Sequence, residues 1–332
     1  MTNILNNPLD FKDELIDGYV SAYSRYLERI PDAAGVRIAG GARPGKVSVL
    51  VGGGSGHYPL FCGYVGLGMA TAAVIGDIFT SPSGEQCYRC TQAIDTGAGV
   101  VYAYGRYSGD VMNFSMAQMR AEIDGIDVRQ VITTDDVAAS PIFDERRGVA
   151  GNLYVYKALG ASAWRGDDLD TVEAYGLRVN AMTRSFGVAF AGCTLPGKSE
   201  PLFTVAPGKM ELGMGIHGEP GIEIGAMVTA RELARLMVER LLADTPADAP
   251  TRAAVLLNGL GATKYEEMFV LYGTIHKLLS AAGIDIYKPL VGEYATSLDM
   301  AGCSLTLSWM DADLQALYDA RAETPAFTMI GG

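Results

Sequence analysis

The sequence predicts an α/β chain of two domains. An N-terminal, mostly parallel sheet with flanking helices is expected over residues 1–182, and a second α+β domain over residues 183–332. Three observations predict this. At 332 residues the chain exceeds what one hydrophobic core usually supports. From residue 47 to residue 132, short apolar runs bounded by glycine alternate with helix-like stretches, as in a parallel sheet covered on both faces. After Thr183 the texture changes to longer strand-like runs among two helical patterns.

In chain order, Leu9, Phe11, Leu15, Tyr19, Tyr23, Tyr26 and Leu27 recur at helical spacing and predict an amphipathic helix. Strands are predicted at 47–51, 70–75, 100–104 and 128–132, each followed by a helix-like stretch, with further helices near 149–159 and 169–182. In the second domain the strands fall at 186–191, 211–216, 253–257 and 304–309, and the helices near 230–242 and 264–282. Residues 245–250 read as an exposed connector. There is no internal repeat and no low-complexity segment.

Composition narrows the function classes. Hydrophobic residues at 49% and charged ones at 19% make a globular mixture. A net charge of −12 argues against nucleic acid, whose phosphates demand a basic face, and against an anionic membrane surface. The N-terminus has no signal-peptide pattern, and no apolar run reaches membrane-spanning length. Five scattered cysteines form no disulfide framework, which fits a reducing cytoplasm. Cys87 and Cys90 match Cys-x-x-Cys, but inside a helix expected to start at Ser83, with Gln86 closing a capping box. A zinc site needs two more ligands, so the pair reads as structural and no metal site is expected.

Only three histidines occur, and two sit in glycine-dense segments. His57 ends Gly52-Gly53-Gly54-Ser55-Gly56, read as a turn, and His217 lies in Gly213-Met214-Gly215-Ile216-His217-Gly218-Glu219-Pro220-Gly221. Glycine lets the backbone approach a ligand closely, and ligands of open α/β sheets bind beyond the strands' carboxyl ends. The His57 segment and Arg106-Tyr107-Ser108-Gly109-Asp110 both follow predicted strands and should open at one edge. His276, in a helical run, reads as structural. The first glycine segment fails the P-loop, the dinucleotide fingerprint and the protein-kinase set, so no ATP site is expected in this chain. What it offers is a row of N–H groups for a small oxygen-rich ligand. Ser55, Asp110 and His217 follow the chain order of α/β-hydrolases, but Gly-x-Ser-x-Gly breaks at His57.

Six segments together resemble the substrate-binding subunit of dihydroxyacetone kinases. They are Gly52 to His57, Phe79-Thr80-Ser81-Pro82, Tyr107 to Phe114, Gly213 to Gly221, Asn258-Gly259-Leu260-Gly261-Ala262-Thr263 and Thr296-Ser297-Leu298-Asp299-Met300. The resemblance implies that His217 bonds covalently, as a hemiaminal, to the carbonyl carbon of a short ketose. It also implies that His57 hydrogen-bonds the substrate and that Asp110 takes the proton from the hydroxyl to be phosphorylated. Gly54, Ser55, Gly56 and Gly105 would line the substrate site. A separate helical nucleotide-binding subunit or domain would supply the phosphoryl group, from ATP with Mg²⁺ or from tightly held ADP recharged by a phosphotransferase system. A homodimer is implied too.

The chain departs from that pattern at several positions. Tyr58 stands where the family commonly has glutamate, Phe61 where it has histidine, and Gly105 where it has lysine, with Tyr104 and Arg106 alongside. These five are candidate specificity residues, and they point to a related ketose such as the tetrulose erythrulose. A non-catalytic ketose sensor that keeps the histidine trap is the alternative reading.

Overall fold

A computed structural model describes residues 4–331. The chain forms two compact units. One contains the chain up to Thr133, Asn152–Arg178 and the stretch from Asp313 onward, and the other Thr134–Gly151 and Val179–Ala312.

The first unit is built on a six-stranded sheet. Its strands are β1 (Leu27–Arg29), β2 (Gly35–Ile38), β3 (Ser48–Ser55), β4 (Ala72–Ile78), β5 (Val100–Gly105) and β6 (Val128–Thr133), in the order β1-β2-β4-β3-β5-β6. The four inner and right-hand strands β4, β3, β5 and β6 run parallel, while β1 and β2 add an antiparallel edge. Helices α1 (Phe11–Tyr23), α2 (Gly84–Ile94), α3 (Ser108–Ile123), α4 (Asn152–Arg165), α5 (Leu169–Ala181) and, after the second unit, α8 (Ala312–Asp319) complete the chain's helical complement on this side. Val74, Tyr102, Tyr104, Phe114, Cys87 and Cys90 belong to one buried core. Both cysteines are therefore packing residues, and all five cysteines are buried and unpaired.

The second unit has its own six-stranded sheet, mostly antiparallel, in the order β11-β10-β12-β7-β8-β9. The strands are β7 (Thr183–Ala189), β8 (Lys209–Leu212), β9 (Glu223–Ala226), β10 (Arg252–Gly259), β11 (Asp285–Gly292) and β12 (Gly302–Trp309). Helices α6 (Ala230–Leu242) and α7 (Tyr265–Ala281) bury Leu233, Met237, Leu241, Met268, Leu271 and Ile275 with Phe186, Leu257, Leu305 and Trp309 of the sheet. Helix α6 opens on a reciprocal cap: Glu232 N donates to Thr229 Oγ1 at 3.3 Å, and Thr229 N to Glu232 Oε2 at 2.9 Å.

Several sequence expectations need correction. The units are not the contiguous halves 1–182 and 183–332. Residues 134–151 join the second unit because Ser185 N donates to Asp135 O at 2.7 Å and Val137 N to Ser185 O at 3.0 Å. The chain from Asp313 onward belongs with the first unit, where Leu67 and Glu323 exchange backbone hydrogen bonds and buried Lys157 Nζ donates to Leu317 O at 2.6 Å. The capping box of α2 is half formed, since Gln86 N meets Ser83 Oγ while the Gln86 side chain takes Ala34 N at 2.6 Å. Strand β3 is followed by a single 3₁₀ turn at Cys62–Tyr64 rather than a helix.

The glycine segment before His57 is not a turn: Gly52, Gly53 and Gly54 lie inside β3. Their missing side chains make room for neighbours. A Cβ on Gly54 would stand 2.5 Å from Thr80 N. Gly273, inside α7, has nothing within 4 Å of its Cβ position. Gly54→Ala is therefore expected to cost about 1–3 kcal/mol through backbone displacement, whereas Gly273→Ala should stabilise the fold by about 0.5–1 kcal/mol. Denaturant unfolding of both variants checks the opposite signs.

Candidate active site

In the first unit the predicted residues converge on the carboxyl edge of two adjacent parallel strands. Gly54 and Ser55 end β3, Gly56 follows with φ +102°, and His57 comes next. Gly105 ends the neighbouring β5, and α3 starts three residues later. Asp110 is the third residue of that helix, 8% exposed, and Tyr107 is the N-cap. The first-turn N–H groups and helix dipole favour an anionic group there.

His57 is 1% exposed, and its ring stacks on Phe79 with centroids 4.8 Å apart. Phe79 holds φ +54° and donates its backbone N–H to Ser55 O at 3.0 Å. The Phe79-Thr80-Ser81-Pro82 motif is thus the seat of the histidine, lodged where Gly54 and Gly76 leave space. Ser55 Oγ is buried and has no hydrogen-bond partner among the described residues. A buried hydroxyl in that state leaves donor and acceptor capacity for a ligand oxygen. Serine-hydrolase chemistry does not suit this residue, since the nucleophile elbow requires a strand-to-helix turn and no helix follows β3.

The candidate specificity residues divide. Tyr104 is fully buried, stacked on Phe114 at 4.3 Å, with its hydroxyl bonded to Gln130. It belongs to the buried core of this unit. Phe61 is 6% exposed, its ring 2.4 Å from the Cβ position of Gly53. Tyr58 is 47% exposed and meets Tyr19 edge-on at 5.8 Å. Arg106 is half-buried, its backbone N–H bonded to Thr133 O at 3.1 Å.

His217 lies in the second unit, in the loop between β8 and β9. Glu219, two residues on, grips it twice: Oε1 is 2.8 Å from His217 Nδ1, and Oε2 accepts the His217 backbone N–H at 2.6 Å. Burial would raise the Glu219 carboxyl, but the His217 hydrogen bond and charge, with Arg147 beyond, hold it below the usual range. Ser297, fully buried, donates its hydroxyl to Ile216 O and pins the residue before the histidine. Two further motifs serve that contact. Asn258 Oδ1 accepts Tyr294 N and Ala295 N at 2.8 and 2.9 Å, and Gly261 admits Leu298 O where a Cβ would stand at 1.9 Å. Glu219 carried the same short-range signal as the histidine, an acidic residue at i+2 across a glycine, yet sequence reading passed over it. Arg147 and Asp136 had no comparable signal. No group of three or more His, Cys, Asp or Glu suited to a metal occurs among the described residues, and no helix there is long and apolar enough to cross a membrane.

Comparison with known proteins supplies the family. Residues 17–326 match the Dak1 domain. The chain is 50% identical over 330 residues to a D-erythrulose kinase of Mycolicibacterium smegmatis, covering 98% of this chain and 56% of that protein. It is 41% identical over 328 residues to the dihydroxyacetone-binding subunit DhaK of the PTS-dependent dihydroxyacetone kinase 2 of Listeria innocua, covering 98% and 99%. The dihydroxyacetone kinase structure of C. freundii superposes with a TM-score of 0.91 at 33% identity, over 99% of this chain and 60% of that one. The chain belongs to the Dak1 family, with the dihydroxyacetone kinase fold. It spans about half the length of the erythrulose kinase it matches and nearly all of the DhaK subunit.

Because the Glu219 carboxyl is depressed, its bonds to His217 stabilise the fold above about pH 4.5 and are lost as the pH falls through the lowered folded value. Glu219→Gln should be less stable than the parent by about 1 kcal/mol at neutral pH, and the gap should close in acid. Thermal unfolding of both proteins across that range checks it.

Proposed function

We propose that this chain is the ketose-binding part of a short-chain ketose kinase and that His217 holds the substrate covalently. The carrying observation is the Glu219 carboxylate 2.8 Å from His217 Nδ1. A carboxylate only accepts hydrogen bonds, so Nδ1 bears the proton and Nε2 the lone pair. Nε2 attacks the carbonyl carbon, and the C=O π pair moves to oxygen. The Nδ1 proton leaves through Glu219 to solvent while the alkoxide takes one from solvent, so the addition is neutral overall and gives a hemiaminal. A ketose of three or four carbons offers few atoms to hold, and a bond to carbon fixes it where contacts alone would not. Glycerol, lacking a carbonyl, cannot be trapped.

Asp110 is the base for the hydroxyl to be phosphorylated, and His57 and Ser55 hydrogen-bond the ketose beside the close backbone of Gly54, Gly56 and Gly105. Burial of His57 and Asp110 means that a ligand reaching either is enclosed by protein, which strengthens each polar contact. A helical nucleotide-binding partner, holding ATP with Mg²⁺ or recharged ADP, brings the phosphoryl group, and this chain works as a homodimer. Erythrulose is the proposed substrate: the 50% identical relative is named a D-erythrulose kinase, and Gly105 stands where the resemblance implies lysine.

Two outcomes are expected. Carbonyl-¹³C-labelled ketose added to the protein should lose its carbonyl resonance, and His217→Ala should abolish that change. With the nucleotide-binding partner and ATP, erythrulose should be phosphorylated with a kcat/KM at least equal to that for dihydroxyacetone, and Asp110→Asn should remove turnover while the adduct persists. A tenfold preference for dihydroxyacetone, about 1.4 kcal/mol, would refute the tetrulose reading. Adduct formation without any turnover would instead identify a ketose sensor.

A further inference from the structure

The Glu219 carboxylate is itself held from behind. Arg147, with its side chain 14% exposed, places Nη1 4.0 Å from Glu219 Oε2. Its Nη2 donates to Gly213 O at 3.0 Å, at the start of the histidine loop. The same guanidinium is anchored on Asp136 Oδ2, with Nη2 at 2.8 Å and Nε at 3.0 Å. Asp136, with its side chain 4% exposed, is fixed in turn by Ala138 N at 3.0 Å on Oδ1. Gly215 shows how closely this is packed: a Cβ there would stand 2.0 Å from Glu219 Oε2 and 2.6 Å from Arg147 Nη1. Both Asp136 and Arg147 come from residues 134–151, the stretch that joins the second unit apart from its chain neighbours.

We infer that Asp136 and Arg147 are positioning residues for His217, forming with Glu219 a chain that fixes the imidazole with Nε2 as the attacking nitrogen. The inference rests on the hemiaminal reading above. A lone carboxylate on a glycine-rich loop can rotate away from Nδ1. A planar guanidinium that also binds the loop carbonyl and a buried carboxylate holds it in register. Arg147 touches no reacting atom. Its effect is to keep one tautomer and one ring orientation, as the partners of metal-bound histidines do. Arg147→Lys keeps the charge but not the fork, so it should recover part of the function only.

The test measures adduct formation by carbonyl-¹³C-labelled dihydroxyacetone in the full chain. Arg147→Met should weaken the adduct roughly tenfold or more, with Arg147→Lys and Asp136→Asn between it and the parent. Gly215→Ala, which leaves every charged group in place, should weaken it as Arg147→Met does. In a double-mutant cycle, Arg147→Met combined with Glu219→Gln should be little worse than Glu219→Gln alone, because both act through one contact. At alkaline pH, ¹⁵N spectra of the parent should show the Nδ1–H tautomer of His217, and those of Arg147→Met a mixture. Parent-like adduct strength in Arg147→Met or Gly215→Ala, or additive losses in the cycle, would overturn the inference while leaving the trap intact. A parent protein that binds ketose with its carbonyl resonance unchanged would overturn the trap, and the inference with it. Should Arg147→Met fail to fold, Asp136→Asn and Gly215→Ala carry the same comparison.

Discussion

A neutral imidazole has two nitrogens that exchange roles, and only the one without a proton can attack a carbonyl carbon. A histidine on a flexible loop would divide itself between tautomers and ring orientations. Here one carboxylate decides both, because Glu219 takes the Nδ1 proton on one oxygen and the His217 backbone N–H on the other. The two bonds make the side chain and main chain of His217 a single rigid piece. Much of the second unit then reads as support for that piece. Ser297 pins Ile216, Asn258 closes the loop that presents Ser297, and Arg147 stands behind the carboxylate. The cost is a cluster of buried charge, met by pairing Asp136 with Arg147; burial still pushes the Asp136 carboxyl up to about 6.

The parallel core was readable because its signals are local and periodic. Strands β3 to β6 and helices α5 to α7 lie within a few residues of their expected places. What the sequence concealed depends on distant partners. Strands β1 and β2 are too short for alternation to register, and β11 is half-exposed along its length, with no buried face to mark it. Residues 134–151 carry no period at all; their place is set by the buried Asp135 carboxylate, which takes Val149 N and Gly151 N at 2.8 Å each. The glycines before His57 looked like a turn because a turn is the commonest use of consecutive glycines. In β3 they serve proximity instead, admitting Phe61 and the Phe79–Thr80 backbone against the strand.

The candidate site residues stood out in the same uneven way. His57, His217 and Asp110 stood out because rare or charged residues beside glycine have few packing explanations. Glu219 was hidden in plain view inside a quoted motif, since one more acid in a chain with 38 Asp and Glu residues carries little information. Tyr104, a candidate for its place beside Gly105, is a buried core residue. Its neighbour Gly105 lies at the strand end, but alternation along a strand sends adjacent side chains to opposite faces, and Tyr104 falls on the side of Phe114.

That division bears on what sets substrate choice. Of the positions that depart from the family pattern, Phe61 is buried with its ring against Gly53 of β3. Tyr58 is half exposed and lies just beyond β3, and Gly105, with no side chain, ends β5. Where the resemblance implies lysine, glycine at 105 lacks that side chain's bulk and donor, and the Nδ1–Glu219 contact of His217 is made within the second unit. On the function proposed above, trap and selectivity would be carried by different residues. A longer ketose can be admitted by enlarging the space around its far hydroxyls, because the bond to the carbonyl carbon does not depend on what lies beyond it. Discrimination by space alone is modest, about 1–3 kcal/mol per methylene-sized group, whereas discrimination by a buried partner for an extra hydroxyl is far steeper. Ser55 Oγ, buried with no hydrogen-bond partner among the described residues, keeps donor and acceptor capacity for a contact of the steeper kind.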